Sequence, residues 1–310
     1  MSSPQPLRLG TRGSALARWQ ADWVASQLQQ QGIDVSIILI STTGDRQTGP
    51  LTAGGSPGLF TKEIQAALLR DEIDVAVHSL KDLPTQATEG LSLAAIPIRE
   101  SPWDVLVSSS STGLEQLAPG ACVGTGSPRR KAQLLHLRPD LQVTAVRGNV
   151  DTRLKKLAAG QYDGLILAEA GLRRLELHDC ISEVLSADQM LPAVGQGALG
   201  IEVRRQDQRS QALLEHLNDP TTAASVTAER TVLATLQAGC LAPVATWGRV
   251  DNDQLLLDAI VLNEDGSQRL VAQGEGKIAA AIEIGQEVAQ QLLQQGAARV
   301  ITEAHQENQA

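Results

Sequence analysis

Aromatic side chains are scarce in this chain of 310 residues, which contains four Trp, one Tyr and one Phe. A stacking platform for single-stranded nucleic acid needs several aromatic rings, so this scarcity argues against one. The net charge of −9 argues in the same direction, because nucleic-acid-binding proteins are usually basic. We therefore expect no nucleic-acid partner and a hydrophobic core of Leu, Val, Ile and Ala.

Cysteines number only three, Cys122, Cys180 and Cys240. No CxxC pair and no zinc-type spacing occurs, so we expect neither a disulfide framework nor a bound metal. The N-terminal residues lack a basic segment followed by an apolar one, and no apolar run has the length of a membrane span. These absences favour a cytoplasmic protein without a membrane partner. Since nothing suggests a large apolar interface, we expect a monomer.

The charge is unevenly distributed along the chain. Residues 121–156 contain eight Lys and Arg and two acidic residues, whereas residues 251–310 contain ten acidic and three basic residues. The first segment has a net charge of +6 and indicates a place where an anion binds. The second has a net charge of −7, which is typical of a solvated surface.

Strands and helices are predicted to alternate in two successive sets, which predicts parallel sheets covered by helices. Residues 194–203 read as a crossing segment and a strand that returns to the first sheet. The predicted fold class is α/β, with two domains of mixed, mainly parallel sheets and a small C-terminal α+β domain. The expected boundaries are 1–97 with about 198–217 for the first domain, 98–197 for the second and 218–310 for the third.

A polar run, His78-Ser79-Leu80-Lys81-Asp82, follows the predicted buried strand Ile73–Val77 and ends at Pro84. Active sites of open α/β sheets lie at the carboxyl ends of such strands. The run is either a solvated turn or the edge of an active site. Asp82 either neutralises a neighbouring Arg or stabilises a developing cation and moves protons.

A second strand end, Gly124-Thr125-Gly126-Ser127-Pro128-Arg129-Arg130, has features of an anion site. Ser127 is a candidate N-cap and Pro128 suits the first helical turn, so backbone N–H groups would face outward beside two guanidinium groups. The alternative is a capped helix with two solvated Arg side chains.

Basic residues follow other predicted strands as well. Arg147-Gly148 precedes a helix whose first turn contains Arg153, and Arg12 with Ser14 occupies a similar junction in the first set. Arg174 lies in a further basic pair. We expect a cleft between two domains, lined with Arg, that binds a ligand with several carboxylates or phosphates.

Two loops add further candidates. Cys240 lies in a Gly/Pro turn, which suits an accessible thiol, although a cysteine in such a turn often has no chemical role. Residues 47–58 are rich in Gly, Pro, Ser and Thr, which indicates a mobile loop or lid.

Taken in order, these motifs resemble those of the porphobilinogen deaminase (hydroxymethylbilane synthase) family. The resemblance covers about residues 7–300. It rests on Thr11–Ser14, Gly58–Glu63, Val77–Pro84, Gly124–Arg130, Arg147–Arg153, Leu191–Ala198 and Gly239-Cys240.

The resemblance implies two domains similar to type II periplasmic binding proteins and a third domain carrying Cys240. It implies a transferase that condenses four porphobilinogen molecules, with loss of ammonia, into the linear tetrapyrrole hydroxymethylbilane, a step of haem and chlorophyll biosynthesis. The Cys240 thiol would hold a dipyrromethane cofactor, which the enzyme builds from its own substrate, through a thioether.

Residue roles follow from the same resemblance. Asp82 matches the catalytic acid, and a carboxylate suits the cation that ammonia loss leaves behind. The implied cofactor-binding residues are Cys240, Arg12, Ser14, Lys81, Asp82, Thr125, Ser127, Arg129, Arg130, Arg147 and Gly148. The implied substrate-binding residues are Arg12, Ser14, Arg147, Arg153, Arg174 and Gln196.

The chain departs from the family pattern at a few positions. Its 51–57 segment has no Lys, and Thr43, Gly126 and Ala238 replace residues common in relatives. Two rival functions compete with the transferase. A two-domain anion-binding protein without catalysis fits the Arg-rich strand ends, and so does an enzyme acting on phosphorylated metabolites, although no P-loop or metal-binding acidic pair supports the latter.

Overall fold

The computed structural model describes residues 5–42, 58, 61–239 and 242–307, with side chains omitted at 305–307. The described residues form two compact units. One contains those within Met1–Arg99 together with Ala198–Ala223, and the other contains Glu100–Gly197 and Ala224 onward. Among these residues no helix is both long and apolar enough to cross a bilayer.

The first unit is built on a five-stranded mixed sheet. Its strands are β1 (Leu7–Thr11), β2 (Val35–Leu39), β3 (Val75–Ser79), β4 (Leu91–Ala95) and β10 (Leu199–Arg204), in the order β2-β1-β3-β10-β4. Strands β1, β2 and β3 are parallel, and β10 is antiparallel to β3 and β4. Four strands therefore share one direction, and β10 returns to this sheet as the sequence predicts.

Helices α1 (Ala15–Gln29), α2 (Lys62–Leu69) and α6 (Gln208–Leu214) belong to the same unit. The Ser14 hydroxyl caps α1 by accepting from the Ala17 amide at 3.3 Å. The sequence predicts an apolar face of Leu16, Trp19, Trp23 and Leu28. Leu28 is buried and Trp23 partly buried against the same core, but the other buried residues of α1 are Gln20, Ala21, Val24 and Ala25. The large apolar side chains lead the sequence pattern to assign part of the wrong helix face to the core. The small side chains of Ala21 and Ala25 allow the helix to approach the sheet closely.

The second unit contains a sheet of the same topology. Its strands are β5 (Asp104–Ser108), β6 (Cys122–Gly124), β7 (Gln142–Thr144), β8 (Gly164–Ala168) and β9 (Glu183–Val184), in the order β7-β6-β8-β5-β9. Here β5 is the strand that runs opposite to the others. The helices between these strands are α3 (Pro128–Leu137), α4 (Val150–Ala158) and α5 (Glu169–Arg174).

An antiparallel sheet in the same unit is formed by β11 (Val244–Asp251), β12 (Gln254–Leu262) and β13 (Arg269–Lys277). Three helices accompany it: α7 (Pro220–Thr235), α8 (Ala281–Gln294) and α9 (Ala297–Glu307). Leu255 and Leu257 of the sheet pack in one core with Val232 of α7 and Val288 of α8. The sequence predicts strands over 244–250, 255–262 and 269–273 and a final helix over 279–295, which agree with the sheet and α8, but it does not predict α9. Two mixed, mainly parallel sheets and this α+β part confirm the predicted fold class.

Gly197 illustrates a position that only glycine fits. Its φ is +87°, and an added Cβ would lie 2.3 Å from the Glu100 carbonyl oxygen. We expect Gly197→Ala to lower the free energy of unfolding by more than the cost of the backbone angle alone, about 1–3 kcal/mol. The matched control is Gly160→Ala, where φ is +72° and the added Cβ meets nothing within 4 Å. Equal losses in denaturant titrations of the two variants would contradict the steric argument.

Candidate functional site

In the first unit, the carboxyl end of β3 carries the polar run that contains Asp82. Observed β3 extends to Ser79, two residues beyond the predicted end, so His78 and Ser79 belong to the strand. A short 3₁₀ turn, Leu80–Asp82, follows directly. The Leu80 amide donates to the Ala198 carbonyl oxygen at 3.0 Å, which ties the turn to the residue before β10. Asp82 is therefore presented from a fixed strand end.

A cavity of about 70 Å³ lies in front of this strand end. Three predicted site residues, Arg12, Ser14 and Asp82, line it together. Its other lining residues are Leu16, Ala17, Gln20, Thr61, Val77, His78 and Ser79. The cavity thus brings one carboxylate and one guanidinium group to the same place, although the two residues are seventy positions apart in the sequence. Lys81 is half-buried in the same turn but does not line the cavity.

The N-terminus of α3 in the second unit has the local structure that the sequence predicts. Ser127 accepts from the Arg130 amide at 3.4 Å, and Pro128 occupies the first turn. Thr125 is buried, and its hydroxyl accepts from the Ser127 amide at 3.2 Å. The loop that carries Thr125, Gly126 and Ser127 is therefore held in place by its own hydroxyl groups.

The sequence allows two alternatives for Arg129 and Arg130, guanidinium groups directed outward at an anion or solvated side chains. The structure shows neither, because both guanidinium groups point into the protein. Both residues are buried, with 4% and 6% of their surface exposed. Both pair with Asp104, the first residue of β5, which is fully buried: Arg129 Nη2 lies 2.7 Å from Oδ2 and Arg130 Nη2 lies 2.6 Å from Oδ1. A buried charge needs such a partner, which explains the inward orientation.

Gln196 completes this buried group. Its Nε2 donates to Asp104 Oδ1 at 3.0 Å and to the Pro102 carbonyl oxygen at 2.7 Å. Burial by itself would raise the pKa of Asp104, but the charges of Arg129 and Arg130 outweigh it and lower the pKa to about 2. Arg130 also donates to the Ile166 carbonyl oxygen at 3.0 Å, so its orientation is fixed from several sides.

A cluster of positive charge extends from this group to the strand end after β7. The pKa of Arg153 is lowered to about 10, first by burial and then by the charges of Arg130 and Arg147. Arg153 Nε donates to the carbonyl oxygen of Gly148, whose φ is +107°. A second buried guanidinium, Arg174 on α5, donates to the Gly197 carbonyl oxygen at 2.7 Å, and burial lowers the pKa of Arg174 to about 10. Repulsion of Arg153 by Arg130 and Arg147 favours binding of an anion between these three side chains.

Two predicted features fall outside the described residues. Cys240 is one, and residues 47–57 of the expected loop are the other. The described cysteines are both half-buried. Cys122 lies 3.2 Å from the Thr144 hydroxyl, and Cys180 donates to the Leu177 carbonyl oxygen. Burial raises the pKa of the Cys180 thiol, which makes it a weaker nucleophile.

The sequence reasoning missed Asp104, Glu202 and Gln20. Asp104 immediately precedes the apolar run Val105-Leu106-Val107, and Glu202 lies between the apolar residues Ile201 and Val203 of β10. A single carboxylate in an apolar strand is costly without a partner, and this signal could have identified both as paired groups. Gln20, which donates to the Ser79 hydroxyl at 2.8 Å, carries no comparable signal in a helix.

Fold and site together define an α/β protein whose strand ends carry a carboxylate, Asp82, in one unit and clustered guanidinium groups in the other. Two protein-family models match the chain. They are described as porphobilinogen deaminase, dipyromethane cofactor binding domain, over residues 7–212, and porphobilinogen deaminase, C-terminal domain, over residues 223–294. The chain belongs to the porphobilinogen deaminase family.

Full-length relatives agree with this assignment. Porphobilinogen deaminase of Desulforamulus reducens is 44% identical over 300 residues, covering 96% of this chain and 97% of the relative. The enzyme of Geobacter sulfurreducens is also 44% identical, with 97% and 95% covered. Similarity along almost the whole of each chain supports transfer of the family assignment to all parts of this one.

Solved structures share a more distant similarity. A periplasmic binding protein of Salmonella typhimurium has a TM-score of 0.40 at 16% identity, covering 71% of this chain and 94% of the other. A TRAP periplasmic solute binding protein from Desulfovibrio salexigens has a TM-score of 0.43 at 11% identity, covering 70% and 73%. The architecture of this chain is established by its own strand pairing.

Proposed function

We propose that Asp82 and the clustered Arg residues carry out the reaction of this porphobilinogen deaminase. The enzyme is a transferase that joins four porphobilinogen molecules, with loss of ammonia, into hydroxymethylbilane. The observation that carries the residue assignment is the shared cavity of Asp82, Arg12 and Ser14 in the first unit. The reaction passes through a cation, which a carboxylate stabilises. Its pyrrole substrates carry carboxylates, which Arg and Ser side chains bind.

Asp82 acts on the charge that develops in the substrate. Loss of ammonia from porphobilinogen leaves a positive charge on the carbon next to the pyrrole ring, and the Asp82 carboxylate stabilises that charge as it forms. The same oxygen atoms accept and return the protons released when the pyrrole carbon loses its hydrogen. The Asp82 side chain is half-buried and lines the cavity, where a bound pyrrole can reach its carboxylate.

The Arg cluster fits a dipyrromethane cofactor, whose acetate and propionate groups are anionic. The charges of Arg130 and Arg147 help to lower the pKa of Arg153, and a carboxylate bound beside Arg153 relieves that repulsion. Thr125, Ser127 and Gly148 hold the adjoining backbone. When bound through Cys240, the cofactor supplies the terminal pyrrole carbon to which the first substrate is joined.

The remaining residue assignments belong to the same proposal. Arg12, Ser14 and Lys81 contact carboxylates of the cofactor or substrate, and Arg174 and Gln196 serve the substrate. Arg129 and Arg130, which pair with the buried Asp104, serve the cofactor from inside the protein by holding the first turn of α3 and by their positive charge. We also propose the three-domain division given by the sequence, in which residues 218–310 form the domain that carries Cys240.

Purified protein should release four ammonia molecules for each hydroxymethylbilane formed from porphobilinogen. Ammonia release without a tetrapyrrole product, or no reaction, would contradict the proposal.

Arg153→Met is expected to raise KM for porphobilinogen by about 10- to 100-fold, because a charge-assisted hydrogen bond contributes about 1.5–3 kcal/mol. The change keeps the apolar stem and removes the charge. The matched control is Arg70→Met, since Arg70 is exposed and pairs only locally with Glu72. Raising ionic strength from about 0.05 to about 0.5 M should raise the wild-type KM and affect the variant less. An unchanged KM in Arg153→Met would remove this residue from the substrate site.

A further inference from the structure

A buried carboxylate and imidazole lie directly behind the Asp82 cavity. His78 on β3 and Glu202 on β10 are 5% and 6% exposed, and His78 Nε2 lies 3.1 Å from Glu202 Oε2. In the antiparallel register His78 is opposite Gly200, and Glu202 is opposite Ala76. The two side chains are therefore diagonal neighbours on one face of the sheet, within reach of each other across the strands.

Helix α2 holds the other side of the same carboxylate. Gln65 Nε2 donates to both oxygen atoms of Glu202, at 3.1 and 3.0 Å, and Gln65 is 6% exposed. The three residues form a buried polar network that runs from α2 through β10 to β3. Well-packed apolar side chains often stabilise a core as well as such a network does. Stability alone therefore gives no reason for its presence.

The network ends at the cavity that contains Asp82. His78 lines this cavity together with Arg12 and Asp82, and among the described residues of the wall these three carry the charged or titratable side chains. The His78 ring lies within ion-pair distance of Glu202, so the side chain at this wall of the cavity is held next to β10. Only three residues separate His78 from Asp82. Gln20 holds Ser79 within that interval, and Ala198 holds Leu80.

We propose that Glu202 and His78 are positioning residues for Asp82, acting through the strand end and cavity wall that they fix. This inference rests on the catalytic role proposed for Asp82. A reacting group must be held within a fraction of an ångström, and a displacement of about 1 Å can cost about 100-fold in rate. The pair serves the chemical step and not substrate binding, so its loss should lower kcat and leave KM unchanged.

Two variants of His78 separate positioning from other roles. His78→Leu should lower kcat by about 100-fold and keep KM within about two-fold. His78→Gln should recover most of that loss, because its amide nitrogen occupies the position of Nε2 and can donate to Glu202. Intact-protein mass checks that each variant carries the same cofactor adduct as the wild type, and thermal unfolding gives the folded fraction by which kcat is corrected.

The matched control is Arg204→Met. Arg204 lies on the same strand as Glu202, and donates to the backbone carbonyls of Leu68 in α2 and of Ile73, which precedes the opposite end of β3. Its replacement should lower Tm and leave kcat unchanged. If His78→Leu does not fold, the triple variant Q65L/H78L/E202L removes the whole network without stranding a polar group, and the same loss of kcat is expected.

Each outcome is informative. Full kcat in His78→Leu or in the triple variant overturns the inference, and so does a His78→Gln variant no better than His78→Leu, which would indicate proton transfer by the imidazole itself. Failure of the proposed function looks different, because the wild type would then not turn over porphobilinogen, or Asp82→Asn would remain fully active.

Discussion

Asp82→Asn is expected to lower kcat by about 10²- to 10⁴-fold while porphobilinogen continues to bind. Asparagine has nearly the same shape as aspartate and can still accept a hydrogen bond. It carries no negative charge to stabilise the cation left by ammonia, and it cannot take up a proton at neutral pH. Porphobilinogen consumption gives kcat, and equilibrium dialysis of the purified variant gives substrate binding.

The matched control is Asp22→Asn, which removes an exposed acid from α1 in the same unit. Since surface charges of this kind contribute little, the control should keep both kcat and Tm. Near-normal turnover in Asp82→Asn would remove this carboxylate from the mechanism. A loss of binding as large as the loss of kcat would assign Asp82 a binding role instead.

Asp104→Ala is expected to cause the largest loss of stability, about 3–5 kcal/mol, because it leaves Arg129 and Arg130 buried without a counter-charge. Denaturant titration measures the loss. The matched control is Asp140→Ala, which removes a carboxylate 2.7 Å from Arg138 in an exposed pair. Exposed pairs contribute about 0–1 kcal/mol, so the two variants should differ several-fold in their effect. Equal effects would mean that burial of the Asp104 group has no energetic consequence.

The pH dependence of stability gives a second readout for Asp104. Its pKa is lowered from 3.8 to about 2 in the folded protein, so the unfolded state binds this proton more readily. The stabilisation is fully present above the unfolded pKa and is lost as the pH falls from about 4 to about 2. Asp104→Asn should lack this part of the acid-induced loss of stability. A variant with the same acid profile as the wild type would contradict the ion-pair assignment.

Local structure at the site could be predicted because it depends on short-range patterns. The Ser127 cap, the Pro128 turn and strand β6 all follow from neighbouring residues, and the structure reproduces them. The return of β10 to the first sheet also agrees with the sequence pattern. In contrast, the end of β3 was placed two residues early, because His78 and Ser79 are polar and their partners Glu202 and Gln20 are distant in the sequence.

Orientation of the basic residues could not be predicted from spacing. By spacing alone, Arg129 and Arg130 are equivalent to Arg147 and Arg153 as ligand-facing groups, since all four follow strand ends. The structure separates them, because Asp104 on β5 pairs with the first two inside the protein and offsets one of their two positive charges. Nothing in the stretch 124–130 indicates a counter-charge more than twenty residues away. Pairing of this kind depends on strand order, which a local pattern does not contain.

The covalent cofactor is the central claim, and intact-protein mass tests it most directly. Purified wild-type protein should exceed its polypeptide mass by one dipyrromethane group, and Cys122→Ser and Cys180→Ser should carry the same adduct. Cys240→Ser should have the mass of the polypeptide alone and should not form hydroxymethylbilane. A wild-type protein that converts porphobilinogen without any adduct, or an adduct that persists in Cys240→Ser, would contradict the account.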